Sequence, residues 1–230
     1  MSKHKKIQKY YDEYSSWYDD ERIDSHYRFI NEIETDLVRE LGSNKKTLEI
    51  GCGTGIILHE VDKCAKQAWG IDLSIGMLKR AKEKELNVKQ ASATKLPFKD
   101  KEFDVIYSLK VLAHIPEITE VISEVKRVVK DDGYALLEFY NPWSVKFLSN
   151  LFFRSRKRVY VRFDSLRDIK KLLKGNFKVV GVRGAKIFVP FPFLFKIPIL
   201  NKILARLEKL LSKTILNRFA GYLIVIAKKI

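Results

Sequence analysis

The fold of this chain is decided by the stretch Leu48-Glu49-Ile50-Gly51-Cys52-Gly53-Thr54-Gly55, which precedes a helical segment and then Gly70-Ile71-Asp72. A short apolar run that ends in glycines is typical of a buried parallel strand whose chain turns sharply and approaches a ligand. The helix that follows points its N-terminal amides at that ligand. An acid at the tip of the second strand accepts hydrogen bonds from ribose hydroxyls. This order of elements predicts a nucleoside-binding site.

The spacing of the glycines discriminates between nucleosides. A nicotinamide dinucleotide site requires a third glycine at position 56, where this chain has Ile56. Glu49, two residues before the first glycine, would repel a pyrophosphate group but suits a ligand with a cationic part. The loop therefore points to S-adenosylmethionine, which carries a sulfonium and an ammonium group and no phosphate.

Strand-like and helix-like segments alternate through the middle of the chain. Ser74 is the predicted N-cap of one helix, Pro116 fits the first turn of the next, and Asp131-Asp132-Gly133 is predicted to end it. Strands separated by helices of about 10–15 residues indicate βαβ units around a mostly parallel sheet. The predicted strands are 47–50, 68–72, 87–91, 103–109, 134–140, 178–183 and 222–227, and the predicted helices are 54–66, 74–84, 116–129 and 164–174, with helical tendency over 10–41.

These motifs resemble those of the class I S-adenosylmethionine-dependent methyltransferases, and most of all the ubiquinone/menaquinone-biosynthesis type. Besides the glycine loop, the likeness rests on 70–78, Leu96-Pro97-Phe98, 103–108 and 124–133. It implies an α/β, Rossmann-like, doubly wound fold with a mostly parallel seven-stranded sheet and an antiparallel closing strand. It also implies one methyltransferase domain over 1–230, made of an N-terminal helical cap (1–44), a cofactor-binding core (45–141), substrate-side segments including an inserted apolar and basic helical cap (142–163 and 187–215) and a closing strand (218–230).

The resemblance implies S-adenosylmethionine as the cofactor and assigns residues to it. Asp72 would hold the ribose, and Glu49 would lie beside the methionine part. Many relatives have an acid that accepts from the adenine amino group at the position of Ser92, so that contact departs from the family pattern here. The predicted cofactor-binding residues are Glu49, Gly51, Cys52, Gly53, Gly55, Asp72, Leu73, Met77, Ser92, Ala93 and Leu109.

Neither a catalytic residue nor a metal site is fixed by the sequence. His114 follows the fourth strand, where the family often has a histidine, which makes it a candidate base; a packing role is the alternative. The histidines and the two cysteines show no metal-ligand spacing, so no metal is predicted. The predicted substrate-side or lid residues are Tyr10, Tyr18, His114, Phe191 and Phe193, with aromatic packing as the alternative for the tyrosines.

The net charge of +16 is concentrated in the last third of the chain. Residues 1–140 sum to −2, whereas residues 141–230 sum to +18. This asymmetry favours an anionic partner, either a membrane surface or a nucleic acid, and a solvated lysine-rich face is the alternative. Residues 187–213 join an aromatic apolar strip to a helix with a leucine face and a basic face, which favours peripheral membrane contact. Packing of that face on the sheet, or dimerisation through it, are the alternatives.

Two enzymatic functions are therefore expected. The first is methyl transfer to a small or lipid-like hydrophobic acceptor at a membrane surface. The alternative is a tRNA methyltransferase that binds RNA with its basic last third, which is less favoured because RNA sites prefer exposed basic residues and stacking aromatics. A non-enzymatic binding protein is disfavoured by the intact Glu49 and Asp72. Because the sequence has neither an export signal nor a membrane-spanning run, the cytoplasm is the expected compartment, with peripheral membrane contact.

Overall fold

The computed structural model describes residues 3–22, 25–144, 160–186 and 218–230, together with 203, 206, 207, 210, 211 and 214. Phe191 and Phe193, and most of the two predicted substrate-side segments, lie outside the described residues.

One seven-stranded sheet organises the described part of the chain. Its strands are β1 (Lys46–Ile50), β2 (Gln67–Asp72), β3 (Val88–Gln90), β4 (Phe103–Ser108), β5 (Val129–Tyr140), β6 (Phe177–Ala185) and β7 (Tyr222–Lys229). They lie in the order β3-β2-β1-β4-β5-β7-β6. Strands β1 to β5 are parallel to one another, and β7 is antiparallel to both β5 and β6. The predicted mostly parallel sheet with an antiparallel closing strand is confirmed.

The helices alternate with the strands. They are α1 (Lys3–Tyr14), α2 (Tyr18–Arg22), α3 (Ser25–Gly42), α4 (Ile56–Asp62), α5 (Ile75–Lys82), α6 (Ile118–Val128) and α7 (Leu166–Leu173). Ser74 caps α5, as predicted, because its hydroxyl accepts a hydrogen bond from the backbone N–H of Met77. Ser165 caps α7 in the same way, with Asp168 as the donor.

The predicted boundaries are wrong at both ends of α6, and α4 (Ile56–Asp62) is shorter than the predicted helix over 54–66. Ile115 is extended, as a residue before proline usually is, and the N-cap falls on Glu117, so Pro116 precedes the helix. At the other end β5 begins at Val129 and not at Tyr134. Asp132, with a φ of 63°, lies inside β5 where the pairing with β4 shifts its register. Aspartate tolerates this left-handed conformation, so the acidic turn forms a bulge within the strand.

The hydrophobic core lies on both faces of the sheet, and alternate residues of β4 serve opposite faces. Ile106 packs with α6 on one face, whereas Val105 and Tyr107 pack with α3 on the other. All three side chains are fully buried. This two-sided burial explains why the strand is a continuous apolar run in the sequence. No helix in the described ranges is long and apolar enough to cross a bilayer.

The N-terminal helix α1 is attached to the start of α5. One oxygen of the Asp12 carboxylate accepts from the Ser74 hydroxyl at 2.6 Å and from the Gly76 N–H at 3.0 Å. A Cβ atom on Gly76 would lie 2.6 Å from the Ser15 hydroxyl oxygen and 2.9 Å from the Asp12 carbonyl oxygen. Only glycine therefore lets α1 approach so closely.

Replacing Ser74 by alanine is expected to destabilise the protein more than the same change at Ser165. Ser165→Ala removes one helix cap and a hydrogen bond to the Asp168 carboxylate that is exposed to water and contributes little, so a cost of about 1 kcal/mol is expected. Ser74→Ala removes a cap and also the hydrogen bond to Asp12, so roughly 2 kcal/mol is expected. Urea denaturation measures both costs, and limited proteolysis reports release of the N-terminal segment in Ser74→Ala alone. Equal costs with equal proteolysis would contradict the attachment.

Candidate functional site

The carboxyl ends of β1, β2 and β4 face α1 and α2 across a cleft with two lobes. Both lobes share Tyr18, Gly51, Gly53, Leu109 and Lys110 in their walls. The larger lobe is further lined by Ile7, Gln8, Tyr11, Ile50, Ile71, Asp72, Leu73, Ser74, Met77, Ala91, Ser92, Ala93, Val111, His114 and Ile115. The smaller lobe is further lined by Arg22, Asn31, Glu49, Cys52, Thr54, Ile56 and Ile57.

The glycine loop after β1 can form only with glycines at two positions. Gly51 has a φ of 76°, and a Cβ atom there would lie 2.3 Å from a methyl carbon of Val111. Gly55 has a φ of 78°, and its Cβ would lie 2.4 Å from a methyl carbon of Leu86. Gly55 is the N-cap of α4 and stands outside the linings of both lobes, although it was predicted to contact the cofactor. Its close approach to Leu86 explains the glycine.

Asp72 links the glycine loop to the end of β2. One carboxylate oxygen accepts from the Gly53 N–H at 2.9 Å, and the other accepts from the Ser74 N–H at 2.8 Å. Burial raises the pKa of Asp72, and the N–H groups of Ser74 and Gly53 counteract part of that rise. Because a carboxylate has about four acceptor sites, two remain for the hydroxyls of a ribose.

Glu49 is a buried acid at the wall of the smaller lobe. Burial raises its pKa well above the ordinary value; Tyr107 and Lys110 lower it, and Glu34 and Asp72 raise it further. Its Oε2 atom is buried and receives no hydrogen bond of normal geometry from the described residues, although the Tyr107 hydroxyl lies near enough to lower the pKa. A buried acceptor without a donor is costly, so Glu49 is suited to a cationic group of a ligand.

Lys110 adds a buried ion pair that the sequence analysis missed. Its Nζ atom donates to Glu34 Oε2 at 2.5 Å and to Asn31 Oδ1 at 2.8 Å. Its backbone N–H donates to Glu138, and its φ is 61°. A signal for this pair existed, because Glu34 follows the apolar residue Ile30 by one helical turn and is fully buried with it. An acid on an apolar helical face requires a partner.

The larger lobe presents mostly apolar walls to a nucleobase. Met77 and Ala93 are buried there, and Leu73 lies beside Asp72. The hydroxyl of Ser92 accepts from the Thr94 N–H at 3.2 Å and lies 2.8 Å from the Thr94 hydroxyl. Ser92 is therefore engaged within its own loop, and it does not reproduce the acidic contact that many relatives make with adenine.

Some of the predicted aromatic lid residues line the cleft, and others lie outside its walls. Tyr18 lines both lobes, and Tyr11 lines the larger one. Tyr10 lies outside both linings, with its ring centroid 5.2 Å from that of Tyr11. Neighbouring residues of a helix point about 100° apart, so Tyr10 and Tyr11 do not face the same surface. His114 lines the larger lobe, and its Nδ1 atom lies 2.8 Å from the carbonyl oxygen of Tyr160.

The geometry of both lobes fits S-adenosylmethionine. Asp72 would hold the ribose hydroxyls, the apolar walls around Met77 would hold the adenine, and Glu49 would pair with the ammonium group. The buried Oε2 atom of Glu49 tests this fit, because a phosphate-bearing nucleotide would place negative charge beside it.

Known proteins share both the motifs and the fold. A family model described as "Methyltransferase domain" matches residues 48–137. An uncharacterized protein of Methanocaldococcus jannaschii is 29% identical over 97% of this chain and 91% of its own length. A ubiquinone biosynthesis O-methyltransferase of Actinobacillus pleuropneumoniae is 26% identical over 55% of this chain and 60% of its own length.

Among solved structures, a S-adenosylmethionine-dependent methyltransferase from Thermotoga maritima has a similar fold. Its TM-score is 0.71, with 18% identity over 98% of this chain and 99% of that chain. At this identity the likeness concerns the fold.

Binding of S-adenosylmethionine is expected to release a proton and to weaken as the pH falls. Burial raises the pKa of Glu49 in the free protein, whereas an adjacent ammonium group favours the carboxylate and so lowers that pKa on binding. Affinity therefore declines as the pH falls through this raised pKa. Isothermal calorimetry in two buffers of different protonation enthalpy measures the proton release.

Glu49→Gln is the decisive variant, and Glu60→Gln on the surface of α4 is its control. Loss of the charged partner at Glu49 should weaken binding about tenfold to a hundredfold, at about 1.5–3 kcal/mol, and should reduce the proton release. Glu60→Gln should change neither quantity. Heats that do not depend on the buffer in the wild type would contradict the assignment of Glu49.

Proposed function

Because the chain is a class I S-adenosylmethionine-dependent methyltransferase, we propose that it methylates a hydroxyl group of a hydrophobic small molecule or lipid at an anionic membrane surface. The observation that best supports the proposal is a row of contacting aromatic side chains, called here the aromatic wall. This row ends at a histidine with a defined tautomer. The bound cofactor supplies an electrophilic methyl group. The protein's part is to orient the acceptor, which contributes about 7–11 kcal/mol, and to remove its proton.

The aromatic wall begins at the larger lobe and continues behind it. The ring of His114 contacts those of Tyr11 and Tyr140, with centroids 6.5 and 5.9 Å apart. Tyr140 in turn contacts Phe163 at 6.1 Å and Tyr222 at 5.0 Å. Burial raises the pKa of Tyr140 well above its ordinary value, so its hydroxyl stays neutral. Of these rings, Tyr11 and His114 line the lobe, and the aromatic surface that they present favours an apolar, planar acceptor over a highly charged one.

His114 is suited to act as the base. A carbonyl oxygen has no proton to donate, so in the contact with Tyr160 the Nδ1 atom of His114 is the donor. The neutral ring then carries its lone pair on Nε2. The bound cofactor would supply the methyl group, and Nε2 of His114 would accept the proton that the acceptor hydroxyl loses on methylation. A relative named as an O-methyltransferase of ubiquinone biosynthesis supports a hydroxyl acceptor.

Acceptor identity can be tested with cell extract, enzyme and S-adenosylmethionine. Mass spectrometry should reveal an apolar compound that gains the mass of one CH2 group. With that compound, His114→Gln should lower kcat about 10²–10⁴-fold while the Kd of S-adenosylmethionine stays unchanged, because general base catalysis contributes about that much. His59→Gln, on the exposed surface of α4, is the matched control and should change neither value. An unchanged kcat in His114→Gln, or salt-sensitive methylation of tRNA instead, would overturn the proposal.

The membrane part of the proposal rests on residues 203, 206, 207, 210 and 211, which are helical. Their spacing puts Ile203, Leu207 and Leu210 on one face, where these side chains are 50%, 43% and 68% exposed. Arg206 is exposed beside them. The charge of +18 over residues 141–230 would repel a second copy of the same face and attract anionic lipid. An apolar row flanked by basic residues is typical of a helix that lies in a membrane interface.

Leu210→Glu is expected to weaken membrane binding without unfolding the protein. The wild type should sediment with phosphatidylglycerol vesicles and much less with phosphatidylcholine vesicles. Leu210→Glu should lower the partition coefficient at least about tenfold, since burying a leucine side chain contributes about 1.5–3 kcal/mol. Val180→Glu, at another exposed apolar position on β6, should bind as the wild type does. Equal recovery with both kinds of vesicle would contradict the electrostatic part of the proposal.

A further inference from the structure

Two loops at the carboxyl end of β5 carry exposed aromatic side chains. Trp143 follows β5 and is 73% exposed, which makes it the most exposed of the large apolar side chains in the described ranges. Phe219 lies in the loop that leads into β7 and is also exposed. Single exposed apolar residues are common on proteins, so a function requires that the structure holds these two in a defined place.

The buried side chain of Asn141 joins these two loops. Its Nδ2 atom donates to the carbonyl oxygen of Arg218 at 2.7 Å and to that of Ala220 at 2.9 Å. Its Oδ1 atom accepts from the Trp143 N–H at 3.1 Å, and its backbone N–H donates to the Gly221 carbonyl oxygen at 3.2 Å. These four hydrogen bonds hold the loop after β5 beside the loop before β7. Trp143, Arg218 and the residue after it, Phe219, are called here the exposed rim.

The exposed rim is basic as well as aromatic. The guanidinium carbon of Arg218 lies 4.9 Å from the centre of the Phe219 ring. The surrounding sequence is also basic, because residues 141–230 sum to +18. An aromatic ring with an arginine on its face suits the headgroup region of an anionic bilayer, where the ring leaves water and the guanidinium meets lipid phosphate.

The exposed rim lies at the same edge of the sheet as the cleft. Because β5 is parallel to β4 and β7 is antiparallel to β5, the end of β5 and the start of β7 lie where the carboxyl ends of β1, β2 and β4 border the cleft. Trp143 is three residues after Tyr140, whose ring contacts that of His114 in the larger lobe at 5.9 Å. Three residues span at most about 11 Å. A surface that meets the rim is therefore close to the acceptor side of the cleft.

We propose that Trp143 and Phe219 enter the interface of an anionic bilayer, with Arg218 at the lipid phosphates, and so place the mouth of the cleft at the membrane. This inference rests on the membrane part of the function proposed above and names the residues that orient the cleft. Tryptophan is enriched at membrane interfaces because its ring is apolar and its N–H can stay hydrated.

RNA is the other partner that exposed aromatic and basic residues suit, since bases stack on such rings. The exposed aliphatic row Ile203, Leu207 and Leu210 belongs to the same basic third of the chain. Aliphatic side chains provide no stacking surface for a base, but they do enter a bilayer interface. This difference favours lipid as the partner of the exposed rim.

The fluorescence of Trp143 tests the proposal, because the chain has three tryptophans and the other two can be replaced by phenylalanine. The Nε1 atom of Trp69 has no partner among the described residues, so Trp69→Phe breaks no hydrogen bond there. With Trp143 as the only fluorophore, phosphatidylglycerol vesicles should shift its emission to shorter wavelength, and lipids brominated in the upper part of the acyl chain should quench it. The matched variant keeps only Trp17, which is 51% exposed and close to Asp19 and Asp20, and should show neither effect.

Vesicle sedimentation of the full chain measures how much the exposed rim contributes to binding. Trp143→Ala should lower the partition coefficient on phosphatidylglycerol vesicles about tenfold, because an apolar ring is no longer removed from water. Trp17→Ala is the matched control and should leave the coefficient unchanged. Arg218→Gln should reduce the preference for phosphatidylglycerol over phosphatidylcholine about fivefold, since one cation at the surface is lost.

The outcomes separate this inference from the function on which it rests. If the wild type binds phosphatidylglycerol vesicles while the emission of Trp143 is neither shifted nor quenched, the role of the exposed rim is overturned. A shift with tRNA and none with vesicles would overturn it in favour of base stacking. If the wild type sediments with neither kind of vesicle, the membrane part of the proposed function fails, and this inference fails with it.

Discussion

The carboxylate of Asp72 holds together the two loops from which both lobes of the cleft are built. Gly53 lies in the loop after β1 and Ser74 begins the turn after β2, and both donate a backbone N–H to this side chain. The glycine loop has few side chains of its own that could fix it in place. The buried Asp72 carboxylate, whose pKa is raised by burial, thus adds two side-chain hydrogen bonds to the backbone bonds that Gly51 and Cys52 donate to the Ile71 carbonyl between the same two strand ends.

The N-terminal helices depend on the same two loops. Asp12 of α1 binds Ser74 and Gly76, and Asp19 of α2 binds Thr54. Since Gly76 has no room for a side chain, the attachment of α1 is specific to this geometry. Tyr11, Tyr18 and Arg22 therefore line the cleft from helices that are hydrogen-bonded to the loops after β1 and β2. The two sides of the cleft are thus joined by one set of contacts.

Local features of the sequence were sufficient to predict the core of the fold. Glycines that require a positive φ, apolar runs buried on two faces and the Ser74 cap each involve residues close in the chain. Sequence reasoning was less successful at the end of α6, because Asp132 adopts a left-handed conformation inside β5 where its residue type suggested a turn between elements. Pairing with β4 continues through this bulge, and that tertiary contact outweighs the local preference.

Contacts between distant residues could not be predicted from one sequence. Lys110 and Glu34 are 76 positions apart, and nothing local links them, although an acid on the apolar face of α3 signals that some partner exists. Arg22 and Glu49 meet in one lobe only because α2 folds back over β1. Tyr10 and Gly55 were predicted to lie at the site, but neither lines either lobe of the cleft. Both belong to the right segment, but helix geometry directs Tyr10 away from the cleft, and packing against Leu86 accounts for Gly55.

Two kinds of electrostatic interaction involve different parts of the chain. Inside the cleft, single buried charges act at contact distance, as between Lys110 and Glu34, and such pairs are little affected by salt. The basic excess of the sequence lies in residues 141–230, none of which lines either lobe. If this excess serves the anionic surface proposed above, salt should weaken that contact while leaving recognition of the cofactor almost unaltered, because the Debye length is about 8 Å at physiological ionic strength. This separation allows the acceptor side of such a fold to change its partner without disturbing the site that supplies the methyl group.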